Sequence, residues 1–165
     1  MKPFHVGVAA EAFAAGLFAQ AGCDVSVQYG ANQPDYDLVA TRGDRFLKVS
    51  VKGSQDSGWG LVQNYKGGRT YAGAIDAWVV DQNPLIVFCL VQFGGIQLGD
   101  APRVYLATAV EIARQLKACR NGHGTTILYE NHAYRSGVAA GTSDAVPPGW
   151  RFSSERLAHL FKSAT

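Results

Sequence analysis

The segment DYDLVATRGDRFLKVSVK, residues 35–52, is the stretch that decides the fold. Apolar and polar residues alternate on both sides of its centre, as they do in strands that bury one face. The Gly43-Asp44 pair at the centre is typical of a two-residue hairpin turn. The segment therefore predicts two antiparallel strands joined by a tight turn.

The register of this predicted hairpin sorts its side chains by polarity. A two-residue turn places Asp37 opposite Ser50 and Asp35 opposite Lys52. Successive residues of a strand point to opposite faces, so one face becomes apolar and the other polar. The apolar face holds Leu38, Ala40, Leu47, Val49 and Val51, and the polar face holds Asp35, Asp37, Lys48, Ser50 and Lys52. A slip of one strand by one residue would mix the two sets, and this supports the register.

Upstream of the hairpin, the sequence predicts a helix and a strand. Apolar residues recur with helical spacing over about residues 8–21, and Gly22 stands where such a helix would end. Alternation over residues 24–29 predicts a strand. A turn at Gly30, Asn32 and Pro34 would then lead into the hairpin.

Downstream, residues 53–73 mix Gly, Gln, Asn and Ser with aromatic and charged residues, so we expect a long functional loop. Buried segments are predicted at residues 75–80 and 85–93, the second of them a strand. Thr108 and Glu111 match a capping box that opens a helix. The shorter predicted elements are strands at residues 103–107 and 127–129, a loop at 137–149 and a terminal helix at 153–161.

Composition limits the class of protein. The chain has 165 residues, of which 47% are hydrophobic and 17% charged, which suits one globular α/β domain and argues against disorder. Its net charge of +2 is too small to indicate a polyanionic partner by itself. Cys23, Cys89 and Cys119 lack the spacing of a zinc site or a disulfide framework. The apolar run at residues 6–21 is interrupted by Glu11, so we expect a cytoplasmic protein with reduced cysteines and no membrane span.

Three charged residues stand out as candidates for chemistry. Glu11 is the only charged residue between Val6 and Ala21, and a carboxylate among apolar residues is costly unless it meets a cation, a metal or water. Asp37 and Lys52 share the polar face of the predicted hairpin. If the helix packs on that side, Glu11, Asp37 and Lys52 converge into what we call the charged trio. Such a set suits Mg²⁺ and the hydrolysis of a phosphodiester.

These residues resemble the PD-(D/E)XK nuclease superfamily, which includes many restriction endonucleases and Holliday-junction resolvases. The matching pieces are GVAAE at residues 7–11, PDYDLV at 34–39 and VSVKG at 49–53. The resemblance implies a restriction-endonuclease-like α/β fold over residues 1–165, with a mixed central sheet flanked by helices. It also implies a nuclease that cleaves DNA with Mg²⁺ or Mn²⁺.

The resemblance implies a role for each matching residue. Asp37 would be the principal metal ligand, and Glu11 a second or water-mediated ligand. Lys52 would orient the attacking water or stabilise the charge that develops on the phosphate. Ser50 stands where the superfamily usually has an acidic residue, and this should weaken metal binding. Asp35 could supply a relocated carboxylate.

The serine at position 50 leaves two other functions open. One is a catalytically inactive nuclease-like module that binds nucleic acid or a protein partner. The other is an interaction protein that simply retains the fold, with a homodimer as one form it could take.

The polar segment at residues 53–73 is the predicted nucleic-acid contact. Its amide and basic side chains could contact phosphates, and its aromatic rings could stack on bases. An ordinary polar loop with aromatic anchors explains the same composition equally well. The candidate residues are Gln55, Trp59, Asn64, Tyr65, Lys66 and Arg69.

Simpler explanations also exist for the individual charges. Asp37 and Lys52 could form a solvated cross-strand ion pair worth about 0–1 kcal/mol. Glu11 could be a charge near a helix N-terminus, where the helix dipole favours it. Asp76 could be either a buried acid with a partner or a residue of a cleft.

Overall fold

A computed structural model describes residues 1–28 and 35–163 of the chain. The helices are α1 (Pro3–Gln20), α2 (Tyr71–Asp81), α3 (Ala109–Ala118) and α4 (Ser154–Ser163). The strands are β1 (Asp24–Val27), β2 (Leu38–Arg42), β3 (Arg45–Ser54), β4 (Gly58–Trp59), β5 (Ile86–Gln92), β6 (Arg103–Thr108), β7 (Leu128–Tyr129), β8 (Asn131–Ala133) and β9 (Ser143–Ala145). Tyr29 and the predicted turn at Gly30, Asn32 and Pro34 lie outside the described residues.

Five of the strands form one mixed sheet in the order β1-β2-β3-β5-β6. β1, β2 and β3 are antiparallel neighbours, β3 runs parallel to β5, and β5 is antiparallel to β6. Helix α2 lies between β3 and β5 in the chain and supplies the crossover that a parallel pair requires. The prediction of an α/β protein with a mixed central sheet and flanking helices is confirmed.

The predicted hairpin forms in the predicted register between Leu38 and Val49, but the predicted pairs Asp37–Ser50 and Asp35–Lys52 are not formed, because β2 begins only at Leu38. Leu38 pairs with Val49, and Ala40 pairs with Leu47, in the ladder between β2 and β3. The turn is Gly43-Asp44, and its glycine has a φ of 63°, which a residue without a Cβ atom adopts without strain. All residues of the predicted apolar face are buried. Turn chemistry and hydrophobic pattern therefore specify the same pairing.

A hydrophobic core lies on each face of the sheet. Helices α1 and α4 cover the face that contains the apolar side of the hairpin. Helices α2 and α3 cover the opposite face, together with Trp59, Trp78 and Trp150. Every residue of β5 is buried, as expected for a central strand that is covered on both sides.

Helix α1 begins earlier than predicted and packs on the apolar side of the hairpin. Pro3 lies in its first turn, where the missing N–H of proline costs no hydrogen bond. Ala10, Ala14 and Phe18 recur every fourth residue and join the core on the apolar face. We expected the charged trio to converge if α1 packed on the polar face of the hairpin. Helix α1 packs on the apolar face instead, because its buried apolar side chains need an apolar surface. No helix in the described part of the chain is long and apolar enough to cross a membrane.

Gly53 controls how closely α1 approaches β3. A Cβ atom at this position would lie 2.9 Å from the Ala10 Cβ atom and 2.9 Å from the Val6 carbonyl oxygen. Glycine is therefore needed for this contact. Ala10 and Gly53 are the chain neighbours of Glu11 and Lys52, so their contact brings the backbones at these two charged residues close together.

The segment predicted as a long loop, residues 53–73, is only partly irregular. It contains the end of β3, strand β4, a 3₁₀ turn at Gln63–Tyr65 and the first residues of α2. The buried segment predicted at residues 75–80 belongs to α2 and is buried on one side only, since Val80 is 81% exposed.

Two local predictions about charged residues are also decided. The capping box at the start of α3 is confirmed, because the Thr108 hydroxyl accepts a hydrogen bond from the Glu111 N–H and the Glu111 carboxylate accepts one from the Thr108 N–H. Asp76 is neither buried nor in a cleft. It is exposed on α2 and pairs with Lys117 over 2.5 Å.

Candidate active site

Asp37 lies immediately before β2, where the ladder between β2 and β3 ends. Its Oδ2 atom accepts a hydrogen bond from the Val51 N–H over 2.5 Å and a longer one from the Ser50 hydroxyl over 3.4 Å. The carboxylate thus replaces a backbone carbonyl at the end of the ladder. Within the described residues its second oxygen, Oδ1, makes no hydrogen bond, so one oxygen stays open to a ligand.

Glu11 lies in the middle of α1, and its electrostatic surroundings contain the rest of the charged trio. Loss of hydration and the nearby Asp37 carboxylate raise the pKa of Glu11, while the Lys52 ammonium lowers it. The charges of Asp37 and Lys52 therefore both act on Glu11 in the folded protein. The alternative of a charge at the helix N-terminus is wrong, because the first turn of α1 contains no acidic residue.

Lys52 is exposed, and its ammonium group lies within 4 Å of no carboxylate in the described part of the chain. The Glu11 carboxylate likewise has no basic group within 4 Å among the described residues. The solvated Asp37–Lys52 ion pair that we considered is therefore absent. The charged trio is a loose group of charges near water rather than a closed salt bridge.

A cavity of about 390 Å³, which we call the site cavity, opens on the polar face of the hairpin. Asp35, Asp37, Ser50 and Lys52 line one side of it. The other lining residues are Tyr65, Asp81, Gln82, Asn83, Ile86 and Phe88. The predicted polar face of the hairpin is therefore the wall of a cavity that is large enough for a small polar ligand.

Lys52 also lines a second cavity, of about 410 Å³, between the start of α1 and the end of β3. Pro3, Val6 and Gly7 contribute the α1 side of this cavity. Glu11 lines neither cavity. Lys52 is therefore the member of the charged trio that borders both the α1 side and the Asp37 side of β3.

The oxygen donors of the charged trio fit Mg²⁺ better than they fit a metal that needs a closed ligand set. In residues 1–28 and 35–163, no three His, Cys, Asp or Glu side chains are grouped to hold a metal ion. Mg²⁺ keeps several waters and often takes only one or two protein carboxylates. The open oxygen of Asp37 is one such carboxylate ligand at the site cavity, and Glu11 is the other carboxylate of the charged trio, whereas Ser50 is 4% exposed and adds no charge.

The predicted nucleic-acid contacts differ in how accessible they are. The prediction that Trp59 contacts nucleic acid is wrong. Its side chain is 3% exposed and belongs to the core under α2, and its Nε1–H donates a hydrogen bond to the Lys52 carbonyl oxygen over 2.9 Å. The ring therefore cannot stack on a base. Gln55 is exposed, but its amide group is already hydrogen-bonded to Met1. Its Oε1 atom accepts from the Met1 amino group, and its Nε2 donates to the Met1 carbonyl oxygen. Asn64 and Arg69 are exposed as well.

Tyr65 joins the predicted loop to the site cavity. It lies in the cavity wall, and the neighbouring Lys66 is half-buried. Loss of hydration and the nearby Asp81 carboxylate raise the pKa of the Tyr65 hydroxyl. The loop therefore reaches the same cavity as the hairpin, and the two predicted groups of residues are neighbours at Tyr65.

Sequence reasoning missed the residues on the far side of the site cavity. Asp81, Gln82 and Asn83 form a polar run between the end of α2 and the start of β5. A polar run at the end of a crossover helix was the available signal. This polar run could be assigned to the site only from the pairing of β3 with β5, which places the start of β5 beside the hairpin.

Comparison of the chain with protein-family models, with curated proteins and with solved structures gave no match. Arguments about function therefore depend on the geometry of the site and on the residues that form it.

Proposed function

We propose that this protein is a Mg²⁺-dependent phosphodiesterase that acts on DNA, built on a restriction-endonuclease-like fold. The observation that carries the proposal is the charged trio. Asp37 and Lys52 line the site cavity, and the charges of both act on the Glu11 carboxylate of α1. None of the three side chains forms an ion pair within the described residues. Charges arranged in this way cost stability, and functional sites are where such costs are found.

Each member of the charged trio has a role in this proposal. Asp37 and Glu11 would hold Mg²⁺ (or Mn²⁺), which when bound supplies an activated water and neutralises charge on the phosphate. Lys52 borders the site cavity and offers three N–H donors to the water or to a phosphate oxygen. Tyr65 and Asp81 face it across the cavity and would limit where a DNA strand can pass.

The order of elements supports the proposed fold. A helix that carries Glu11 precedes a hairpin that has Asp37 immediately before its first strand and Lys52 on its second, and helices cover both faces of the sheet. This is the arrangement that the resemblance implies. DNA as the partner, a homodimer and a cytoplasmic location belong to the same proposal. Buried, unpaired Cys23, Cys89 and Cys119 agree with that location.

Cleavage assays on linear, supercoiled and branched DNA test this function. With Mg²⁺ or Mn²⁺ present, the protein should cut at least one of these substrates, and Lys52→Ala should lower the rate roughly 100-fold or more. Lys162→Ala removes an equal charge from the exposed end of α4 and should leave the rate unchanged. A wild-type protein without activity in either metal, or equal rates for wild type and Lys52→Ala, would contradict the proposal.

Ser50 favours a second candidate function, a catalytically inactive nuclease-like module that binds nucleic acid. The buried hydroxyl supplies no charge, and the described residues contain no group of three metal-binding side chains. In this case wild type and Lys52→Ala would both be inert while binding DNA with equal affinity. Absence of binding to DNA at moderate salt would instead favour an interaction protein.

A further inference from the structure

Two basic side chains converge on one tyrosine at the start of α2. The Lys66 ammonium lies 5.1 Å from the centre of the Tyr71 ring, and the Arg120 guanidinium carbon lies 5.1 Å from the same point. Lys66 comes from the loop before α2, and Arg120 follows the end of α3. Contacts of cations with an aromatic ring hold both side chains in place without neutralising them.

Arg69 adds a third positive charge to this surface. It is exposed, and its guanidinium donates to the Tyr65 carbonyl oxygen over 3.0 Å. The Lys66 ammonium donates to the Arg69 carbonyl oxygen. We call Lys66, Arg69 and Arg120 the basic cluster. None of its three side chains has a carboxylate within 4 Å among the described residues.

The charge of the basic cluster is large for this chain. The whole protein carries a net charge of only +2, yet three unpaired cations share this one surface. Two acidic residues, on α2 and β9, have partners of their own. Asp144 accepts hydrogen bonds from the Arg120 backbone N–H over 3.0 Å and from the Tyr134 hydroxyl over 2.7 Å, and Asp76 pairs with Lys117.

Arg120 is held in an unusual backbone conformation. Its φ is 55°, and that of Asn121 is 57°, in the left-handed region that residues with a side chain seldom adopt. Such strain persists where the surrounding structure enforces it, and it is over-represented at functional sites. Here the bond to Asp144 fixes the backbone from which the guanidinium extends.

The basic cluster and the site cavity share Tyr65. This residue lines the cavity, and its carbonyl oxygen receives the hydrogen bond from Arg69. The basic cluster is therefore joined to one wall of the site cavity through Tyr65.

We propose that the basic cluster binds the phosphodiester backbone of the DNA strand whose scissile bond enters the site cavity. The inference rests on the proposed function for its choice of ligand. Guanidinium and ammonium groups pair with phosphate oxygens through charge-assisted hydrogen bonds, and such contacts position the strand without reading its sequence. The cluster is thus a positioning surface, separate from the charged trio.

Fluorescence anisotropy with a labelled DNA duplex in EDTA tests this proposal without any cleavage. The double variant Arg69→Gln/Arg120→Gln should bind at least roughly tenfold more weakly at about 0.1 M salt, and the slope of log K against log salt should fall by about 2. The matched control Arg114→Gln/Lys162→Gln removes the same charge from exposed positions of α3 and α4 and should change affinity less than about twofold.

Further variants protect the test against loss of structure. Circular dichroism and thermal melting establish that the double variant folds, and Lys66→Gln alone should lose part of the same affinity. Arg120→Lys keeps the charge and should retain most of the binding. An equal loss in the cluster and control doubles, or no loss in either, would overturn the proposal.

The binding and cleavage results separate the two proposals. DNA binding that depends on the basic cluster, in a protein that cuts no DNA with Mg²⁺ or Mn²⁺, supports the positioning surface and rejects the phosphodiesterase. Cleavage that depends on Lys52, with unchanged binding in the cluster variants, supports the phosphodiesterase and rejects the positioning surface.

Discussion

Charged residues are arranged in opposite ways in two regions of this protein. In the first region, Glu130 lies between β7 and β8 and contacts two side chains of β6. Its carboxylate accepts hydrogen bonds from Arg103 over 2.6 and 2.7 Å and from the Tyr105 hydroxyl over 2.8 Å. In the charged trio, no ion pair closes between Glu11, Asp37 and Lys52. The first region satisfies its charges within the fold, and the second leaves them to meet water or a ligand.

The pKa values express the same contrast. Burial alone would raise the pKa of Glu130, but hydrogen bonds from Arg103 and Tyr105 outweigh it and hold the pKa below its usual value. Burial raises the pKa of Glu11, and Asp37 raises it further. The fold stabilises the ionised form of Glu130 and disfavours the ionised form of Glu11. Paired charges here are structural, whereas unpaired charges in a group are the candidates for chemistry.

The largest expected effect on stability concerns the ion pair between Arg156 of α4 and Glu111 of α3. Arg156 is 8% exposed, donates to the Leu106 carbonyl oxygen and pairs with Glu111 over 2.6 Å. Arg156→Gln should cost about 3–5 kcal/mol, because it leaves a partly buried carboxylate without its partner. Urea unfolding measures the change, and Arg114→Gln on the exposed side of α3 is the control. A cost below that of the control would mean that this pair is not structural.

Removing the charge from Glu130 should have the next largest effect. Glu130→Gln should destabilise the protein by about 2 kcal/mol at pH 7, since hydrogen bonds to charged groups are lost. The lowered pKa means that this stabilisation is present above the unfolded pKa and disappears as the pH falls through the folded value. Denaturant unfolding at neutral and at strongly acidic pH should therefore show the difference shrinking. A constant difference would argue against a role of the charge.

A carboxylate at position 50 would bring the charged trio closer to a complete metal site. Ser50→Asp should tighten Mg²⁺ binding about tenfold, because a second carboxylate then stands beside Asp37. The same variant should be less stable without metal, since two carboxylates repel each other there. Titration calorimetry with Mg²⁺ measures the affinity, and Ser50→Asn controls for size. Equal affinities of the two variants would place position 50 away from the metal.

The smallest expected effect is a gain in stability. The raised pKa of Glu11 means that its ionisation opposes folding once the pH rises above the unfolded value. Glu11→Gln should therefore raise the melting temperature at pH 7 by about 1–3 °C, since solvent screening keeps the effect below about 1 kcal/mol. The gain in stability should vanish at acidic pH. The proposed cleavage of DNA should be lost in the Glu11→Gln variant. Asp100→Asn, in an exposed loop, is the control, and a loss of stability in Glu11→Gln would contradict the contrast with Glu130.

Sequence patterns predicted the parts of the site that are local in the chain. The hairpin could be predicted with its register between Leu38 and Val49, because alternation and a two-residue turn are properties of neighbouring residues. That prediction placed Asp37, Ser50 and Lys52 on one face, and these residues line one cavity. The capping box of α3 is a local signal of the same kind.

Other site residues could not be assigned from their surroundings in the chain. Trp59 stands in a polar segment and was predicted to contact nucleic acid, yet it is buried, because α2 and β6 supply an apolar surface for it from distant parts of the sequence. Arg120 and Tyr71 carried no local signal. They meet because α2 and α3 pack side by side on the same face of the sheet.

By itself, the sequence determined the longer strands and the hairpin register between Leu38 and Val49, since these follow from periodicity and residue type, whereas the short strands β4, β8 and β9 were not predicted. Only the tertiary structure decided that α1 packs on the apolar face and that Glu11 nevertheless interacts with Asp37 and Lys52. The physical reason why α1 lies so close to β3 is the contact between Ala10 and Gly53. It depends on the shape of two surfaces that are far apart in the chain, and no periodic pattern within either segment encodes how closely they approach.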